Sequence, residues 1–349
     1  VDPTDSPFKT LLVANRGEIA VRVIRTAKAM GIKTVAVYSE ADRSSLHVLL
    51  ADAAVCVGGP EPKDSYLNVE AVVQAAKRAG AEAVHPGYGF LSQRADFVER
   101  LEEECITFIG PPARIHRLVG DKLGARRFFQ GAGIEVVPGT LTAVDARDAP
   151  SIAEELGYPV IVKPAGGGGG IGMRVAWSED ELLKALRDAS ELAGKAFGRL
   201  EVYLEKYLPK ARHIEVQVIG DGRGGVLHLF ERECSVQRRF QKVVEEAPSP
   251  ALDEERRRRL LSIALKAAKA CEYVNAGTFE FLYDPSSDKF YLLEVNSRIQ
   301  VEHPVTEMVT GIDVVREQIL VAAGEGTSFE QEEVKLHGHA IEARVYAED

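Results

Sequence analysis

Leu293-Glu294-Val295-Asn296-Ser297-Arg298-Ile299-Gln300-Val301-Glu302-His303-Pro304 is the stretch from which the rest of the chain is best read. In an extended backbone, successive side chains point to opposite faces. Glu294, Asn296, Arg298, Gln300 and Glu302 then share one face, and Val295, Ser297, Ile299 and Val301 the other. A plain alternative is the wet side of a half-buried strand. The preceding residues favour more than that. Thr278 to Tyr283 is rich in strand formers, Asp284-Pro285-Ser286-Ser287-Asp288 is turn material, and Lys289 to Leu293 is a second strand. A hairpin about Ser286-Ser287 brings Glu280 close to Glu294. Two adjacent carboxylates repel and raise each other's pKa, and a divalent cation removes that penalty. Carboxylate oxygens suit Mg²⁺ bridging to substrate phosphates. A straight strand from Glu294 to Glu302 would spread over roughly 26 Å at about 3.3 Å per residue, too far for one reaction centre. The chain is therefore expected to bend after Asn296.

Size and composition set the frame. A chain of 349 residues is too long for one ordinary core, so two or three domains are expected. At 45% hydrophobic and 28% charged residues, the composition is that of an ordinary soluble globular protein. A formal net charge of −10 argues against broad nucleic-acid or anionic-membrane binding. No uninterrupted apolar run is long enough to cross a membrane, and the polar start, Val1 to Pro7, is unlike a signal peptide. The four cysteines (Cys56, Cys105, Cys234, Cys271) lie far apart without zinc-ligand spacing. They read as inert buried thiols in a reducing, cytoplasmic setting.

From residue 9 onward strands and helices alternate. Thr10 to Ala14 is a continuous apolar run suited to a buried parallel strand. Asn15-Arg16-Gly17 turns the chain into a helix from Glu18 to Met30, closed by Gly31. Further units follow: strands at Lys33–Tyr38, Ala54–Val57, Ala83–His85 and Ile106–Ile109, with helices at Leu67–Ala79 and Ala95–Glu103. This predicts an open α/β domain. The first turn has one glycine, so the dinucleotide fingerprint is absent. His85-Pro86-Gly87-Tyr88-Gly89-Phe90 follows a strand, where such sheets bind ligands, although a plain turn reads equally well.

Gly110-Pro111-Pro112 marks a boundary. Asp121 to Phe129 reads as a helix containing Lys122, a residue type that is usually solvated. Tyr158 to Lys163 is a strand, Ala165 to Met173 a glycine-rich run, and Arg174–Ala176 a second strand. Glycine loops let backbone N–H groups wrap phosphate oxygens. The lysine precedes the glycines, so this is not a Walker A loop. A mobile phosphate lid is favoured over a flexible linker. Arg212 to Ile219 alternates polar and apolar, as a strand at a cleft edge does. Val226–Phe230 completes a hairpin. Glu231 to Lys242 carries so many charges that it reads as a solvated loop. Asp253 to about Glu272 is a helix whose Arg256 to Arg259 mostly face solvent and form no nucleic-acid patch, and Val305 to Ala323 is another helix.

Taken together, Asn15-Arg16-Gly17-Glu18-Ile19-Ala20, His85 to Ser92, the Lys163 glycine loop, Gln237 to Pro248 and Glu294 to Glu307 resemble biotin carboxylase, of the ATP-grasp superfamily. The resemblance covers almost the whole chain in order. It implies an α/β and α+β fold: a Rossmann-like N-terminal domain over residues 1–119, an ATP-grasp domain over 120–326 with a glycine-loop lid subdomain at about 138–203, and the start of a C-terminal domain over 327–349. The family uses MgATP (or MnATP) and bicarbonate to carboxylate N1′ of biotin on a carrier protein, as part of acyl-CoA, pyruvate and related carboxylases. By resemblance, Lys122, Lys163 and His213 would contact the ATP phosphates, with Met173 and the glycines, Gly168 and Gly169 among them, closing over them. Glu205, Lys206 and Leu208 would hold adenine, and Gln237 would lie at the nucleotide site. Glu280, Glu294 and Asn296 would serve Mg²⁺. Lys242, Arg298, Gln300 and Val301 would hold bicarbonate, Glu302 would be its general base, and Arg344 would steady the biotin enolate. The implied partners are a biotin carboxyl carrier protein or domain and a carboxyltransferase component, with a homodimer in full-length form, no nucleic acid and no membrane.

Three positions depart from the family pattern. Phe240 stands where His or another polar residue is usual, Ile171 where Arg or Lys is usual, and Gln93 where Glu is usual. The chain stops at Asp349, before a further region expected from the family, so MgATP binding is expected to survive better than turnover. Two rival readings are kept. One is another ATP-grasp ligase, such as a carbamoyl-phosphate synthetase half or a purine-pathway carboxylating enzyme, which should lack the Arg298-to-His303 run. The other is a non-catalytic ATP-binding module. No Ala-Met-Lys-Met motif is present, so no attached biotin is expected.

Overall fold

The computed structural model describes residues 6–166, 172–197 and 201–346. The glycine-loop positions Gly168, Gly169 and Ile171 lie outside these described residues. The first third of the chain alternates β1 (Thr10–Val13), α1 (Gly17–Ala29), β2 (Lys33–Ser39), α2 (Leu46–Leu50), β3 (Ala53–Gly58), α3 (Val69–Ala79), β4 (Ala83–His85), α4 (Ala95–Glu103) and β5 (Thr107–Phe108). The five strands form one parallel sheet in the order β3-β2-β1-β4-β5. Its central strands β1 and β4 are mostly apolar because helices cover both faces.

The order reverses between β1 and β4, and a crevice opens at their carboxyl ends, where such sheets take ligands. Asn15 ties the two loops together, its Nδ2 donating to Pro86 O and Tyr88 O, each at 2.7 Å. Gly87 has a φ of +61°, and a Cβ there would come within 3.0 Å of that same amide. Only glycine meets both demands.

Two helices, α5 (Ala113–Gly120) and α6 (Lys122–Gly131), lead into a smaller unit. It comprises α7 (Ala149–Leu156), β6 (Val160–Pro164), β7 (Arg174–Ala176), α8 (Glu179–Phe197) and β8 (Val202–Lys206), with strand order β7-β6-β8. The glycine run joins β6 to β7, as the sequence predicts. The remaining elements are β9 (Arg212–Gly220), β10 (Val226–Arg238), β11 (Gln241–Ala247), α9 (Glu254–Ala270), β12 (Asn275–Asp284), β13 (Lys289–Asn296), α10 (His303–Thr310), α11 (Val314–Ala322) and β14 (Ala340–Ala343). The strands build a six-stranded antiparallel sheet in the order β13-β12-β9-β10-β11-β14. Helix α9 packs on this sheet through Leu260, Leu261, Ala264 and Ala268. A core shared by α1, α11 and Ile299 joins the sheet to the N-terminal unit.

Three expectations are corrected. The cysteines are not all buried: Cys234 and Cys271 are, but Cys56 is half-buried and Cys105 exposed. The charged run Glu231 to Lys242 is not a solvated loop: it forms the end of β10, a turn at Arg239-Phe240 with positive φ, and the start of β11. Glu231, Arg232, Glu233 and Lys242 pair inside the protein, Arg232 is fully buried, and Arg238 and Arg239 at the turn are exposed. The segment Val305 to Ala323 is not one helix. Gly311, at φ +74°, ends α10, and the Asp313 carboxylate caps α11 by accepting from Arg316 N. Among the described residues, no helix is long and apolar enough to cross a membrane.

Candidate active site

Strands β12 and β13 pair with Glu280 opposite Glu294, the register the hairpin predicts. Strand β13 ends at Asn296, and the chain bends there. Buried Ser297, hydrogen-bonded to His116 Nδ1 at 2.7 Å, and buried Ile299 hold the bend. The polar side chains of the bent segment therefore converge. Glu280 Oε1 accepts from Asn296 Nδ2 at 2.8 Å and from Gln300 Nε2 at 2.9 Å. Arg298 donates to Gln300 Oε1 at 2.6 Å, to Asn296 Oδ1 at 3.2 Å and, through Nε, to Gln93 Oε1 at 2.8 Å. Val301 lies in the turn before α10.

Lys242 stands at the centre. Its ammonium reaches Glu215 Oε2 at 2.5 Å, Glu302 Oε1 at 2.6 Å and Glu280 Oε1 at 2.8 Å. Burial alone would lower its pKa, but the three carboxylates push it well above the usual lysine range. The repulsion expected at Glu280 is thus met by a lysine, not only by a metal. Burial would raise the pKa of Glu280, yet Lys242 and His213 hold it well below the usual carboxylate range. Gln237 Nε2 donates to His213 Nδ1 at 2.8 Å, so the ring proton sits on Nε2, which donates to Glu280 Oε2 at 2.8 Å. Glu302 is 1% exposed. Burial raises its pKa, and Lys242, Arg232 and Arg344 outweigh that and bring it to about 2. Its second oxygen accepts from Arg344 at 3.1 Å.

The sequence matches two described families in turn: "Biotin carboxylase, N-terminal domain" over residues 7–115 and "Carbamoyl-phosphate synthase L chain, ATP binding domain" over residues 121–329. Biotin carboxylase 1 of Bacillus subtilis is 52% identical over 98% of this chain and 76% of its own length. A biotin carboxylase–β,γ-ATP complex from Campylobacter jejuni superposes with a TM-score of 0.95 at 50% identity, over 98% of this chain and 76% of that one. The biotin carboxylase domain dimer of Hydrogenobacter thermophilus 2-oxoglutarate carboxylase, in complex with MgADP, ADP and bicarbonate, superposes with a TM-score of 0.93 at 49% identity, over 97% of this chain and 74% of that one. The chain belongs to the biotin carboxylase family. It has the ATP-grasp fold of that family's ligases.

As a biotin carboxylase, the chain has a second polar cluster at the β7-β6-β8 sheet. Lys163 donates to Glu205 Oε2 at 2.6 Å, and Arg126 pairs with the other oxygen of Glu205. Lys206 Nζ donates to Gly157 O at 2.6 Å and Tyr158 O at 3.0 Å, and its N–H donates to Pro138 O. The side chains of Glu205 and Lys206 are therefore engaged with protein. Leu208 lies two residues further along the chain. Met173, half-buried, follows the glycine loop. Lys122 opens α6 with its Nζ 3.8 Å from Glu294 Oε2, between the two clusters.

Four residues escaped the sequence reading: Glu215, Arg232, Arg126 and Glu245. Arg232 donates to Glu215 at 2.5 Å, Gln217 at 2.8 Å, Thr306 at 2.9 Å and Thr278 at 3.0 Å. It forms the floor under Lys242. The signal was the polar row His213, Glu215, Gln217 along β9, which faces the cleft. Arg126 and Glu245 gave no local signal, because their partners lie 79 and 99 residues away.

The donor set fits a hard divalent cation. Glu280 and Glu294 face each other from adjacent strands and Glu294 is half-buried, while both Glu280 oxygens and the Asn296 amide oxygen already accept hydrogen bonds that a bound cation would replace.

Two outcomes follow from these pairs. Glu205→Gln leaves Arg126 and Lys163 with a neutral partner and is expected to lose about 1–3 kcal/mol of stability, read from urea denaturation. Glu302 and Glu280 have native pKa values below their unfolded ones. The stability they add is present above about pH 4.3 and fades as the pH falls towards about 2, the native value of Glu302. Glu215, raised by burial, acts in the opposite sense. Glu302→Gln should therefore flatten the loss of urea resistance between those two pH values.

Proposed function

We propose that this chain carries out the ATP- and bicarbonate-dependent carboxylation of biotin on a carrier protein, the first half-reaction of a biotin-dependent carboxylase. The observation that carries this reading is Glu302, held ionised between Lys242 and Arg344 beside Arg298 and Gln300. Bicarbonate is a poor nucleophile until its proton is removed. Lys242, Arg298, Gln300 and the Val301 main chain hold it, and Glu302 takes that proton. As the anion draws on Lys242, Glu302 loses part of its positive neighbourhood and becomes a stronger base.

A bicarbonate oxygen then attacks the γ-phosphorus of ATP, and the bond to the β-phosphate oxygen breaks. The products are ADP and carboxyphosphate. Lys122, Lys163 and His213 offset the charge on the phosphates, with Gln237 fixing the imidazole. Glu280, Glu294 and Asn296 would hold Mg²⁺, which when bound neutralises phosphate charge. Carboxyphosphate releases CO₂ and phosphate, and the phosphate takes the N1′ proton of biotin. Arg344 stabilises the enolate, and N1′ adds to CO₂. A closed lid carrying Met173, Gly168 and Gly169 would keep water from the intermediate.

The domain bounds 1–119, 120–326 and 327–349, with the lid at about 138–203, form part of this proposal. They are supported by family matches over 7–115 and 121–329, although β14, within the last segment, pairs into the ATP-grasp sheet. A carrier, a carboxyltransferase component, a homodimer and a cytoplasmic setting are proposed on the same family grounds. The test is bicarbonate-dependent ATP cleavage with and without free biotin. Stimulation by biotin is expected. Stimulation only by another acceptor would favour a different ATP-grasp ligase, and ATP binding without cleavage would favour a non-catalytic module.

A further inference from the structure

Behind Arg344, two carboxylates meet across the β11–β14 ladder. Glu245 and Glu342 are direct partners in the antiparallel register, so their side chains leave the same face with Cβ atoms about 4.5–5.5 Å apart. Glu245 is fully buried, and its Oε1 accepts from Arg344 Nε at 2.6 Å. Its Oε2 is buried with no hydrogen-bond partner among the described residues, and the same holds for Glu342 Oε2. Two orphaned oxygens on facing carboxylates are an unstable arrangement if both groups are charged. One proton removes a charge and supplies the missing hydrogen bond to both.

We propose that Glu245 and Glu342 share a single proton at neutral pH and act as positioning residues for Arg344, a role that rests on reading Arg344 as the partner of the biotin enolate. Burial raises both carboxyls and takes Glu342 up to about 7, with Glu245 and Glu302 adding to the rise. The other charged or titratable groups packed around the pair are Arg344 on β14, Lys242 on β11 and Arg232 on β10. Glu246 and His339 pair with each other at 2.7 Å, away from the dyad. Helix α10 adds His303, which burial pushes down to about 4, and Glu307, paired with Arg22. With its proton, the dyad carries one negative charge, and Arg344 divides between Glu245 and Glu302. When the proton leaves for solvent, a second negative charge draws the guanidinium back toward the sheet and away from biotin.

The experiment pairs pH-difference infrared spectroscopy of the whole chain with the pH dependence of KM for free biotin. The expected result is one protonated-carboxyl band that titrates near neutrality and is lost in both Glu342→Gln and Glu245→Gln. Above that titration, KM for biotin should rise about tenfold per pH unit in the unaltered protein. In Glu342→Gln, whose amide imitates the protonated carboxyl, KM should stay within about twofold over that range. Absence of the band, its persistence in Glu342→Gln, or the same KM profile in both proteins would overturn the proposal. Arg344→Gln separates the underlying reading: if it leaves KM for biotin unchanged while the band behaves as expected, the assignment of Arg344 fails and the positioning role falls with it.

Discussion

Glu302→Gln is expected to lower bicarbonate-dependent ATP cleavage by about 10²–10⁴-fold, the range for removal of a positioned general base. Nucleotide affinity should change little. The substitution keeps the size of the side chain, but its one carbonyl oxygen accepts from only one of Lys242 and Arg344, and the amide NH2 faces the other donor. It removes the charge and the ability to take a proton. Lys242 retains Glu215 and Glu280 as partners, so the floor of the site stays neutralised. Rates measured by ADP release, beside ATP affinity from calorimetry, separate the two effects. A variant that cleaves ATP at the parent rate would remove Glu302 from the proton-transfer step. Loss of ATP binding in step with the rate would point to disruption of the site.

Arg232→Met is expected to give the largest loss of stability, about 3–5 kcal/mol. Arg232 is 0% exposed and donates to four side chains on β9, β12 and α10. Methionine fills much of the volume but leaves Glu215, also fully buried, facing Lys242 alone. Burial already raises the pKa of Glu215, so the lost cation should drive it to take up a proton. Urea unfolding followed by circular dichroism measures the loss. Adding Glu215→Gln should restore part of it, because the uncompensated buried charge is then gone. Equal stability of the single and double variants would show that packing, not charge, sets the value of Arg232.

Much of the molecule was legible because its signals are local. The apolar runs and capped helices of residues 10–109 act within one turn or one strand, and the parallel sheet follows from their alternation. The Glu280–Glu294 register followed from a turn between two strand-forming runs. The misreadings have one cause. Glu231 to Lys242 looks solvated because charge in sequence is read against water, while Glu231, Arg232, Glu233 and Lys242 find partners on other elements and only Arg238 and Arg239 among its charges are exposed. The helix break at Gly311 was a local signal that the apolar pattern on either side concealed.

By itself, the sequence determined the types of chemistry on offer: carboxylates in register for a metal, a lysine before a glycine loop, and a polar row of acid, amide and cation. Short-range backbone geometry and residue chemistry are enough for that. Only the tertiary structure decided which groups share charge. Lys242 meets Glu215, Glu280 and Glu302 over separations of 27, 38 and 60 residues, and Arg344 meets Glu302 over 42. Burial and Coulomb interaction act through space, so the charge states at the centre of the site depend on contacts that no short window of the chain contains.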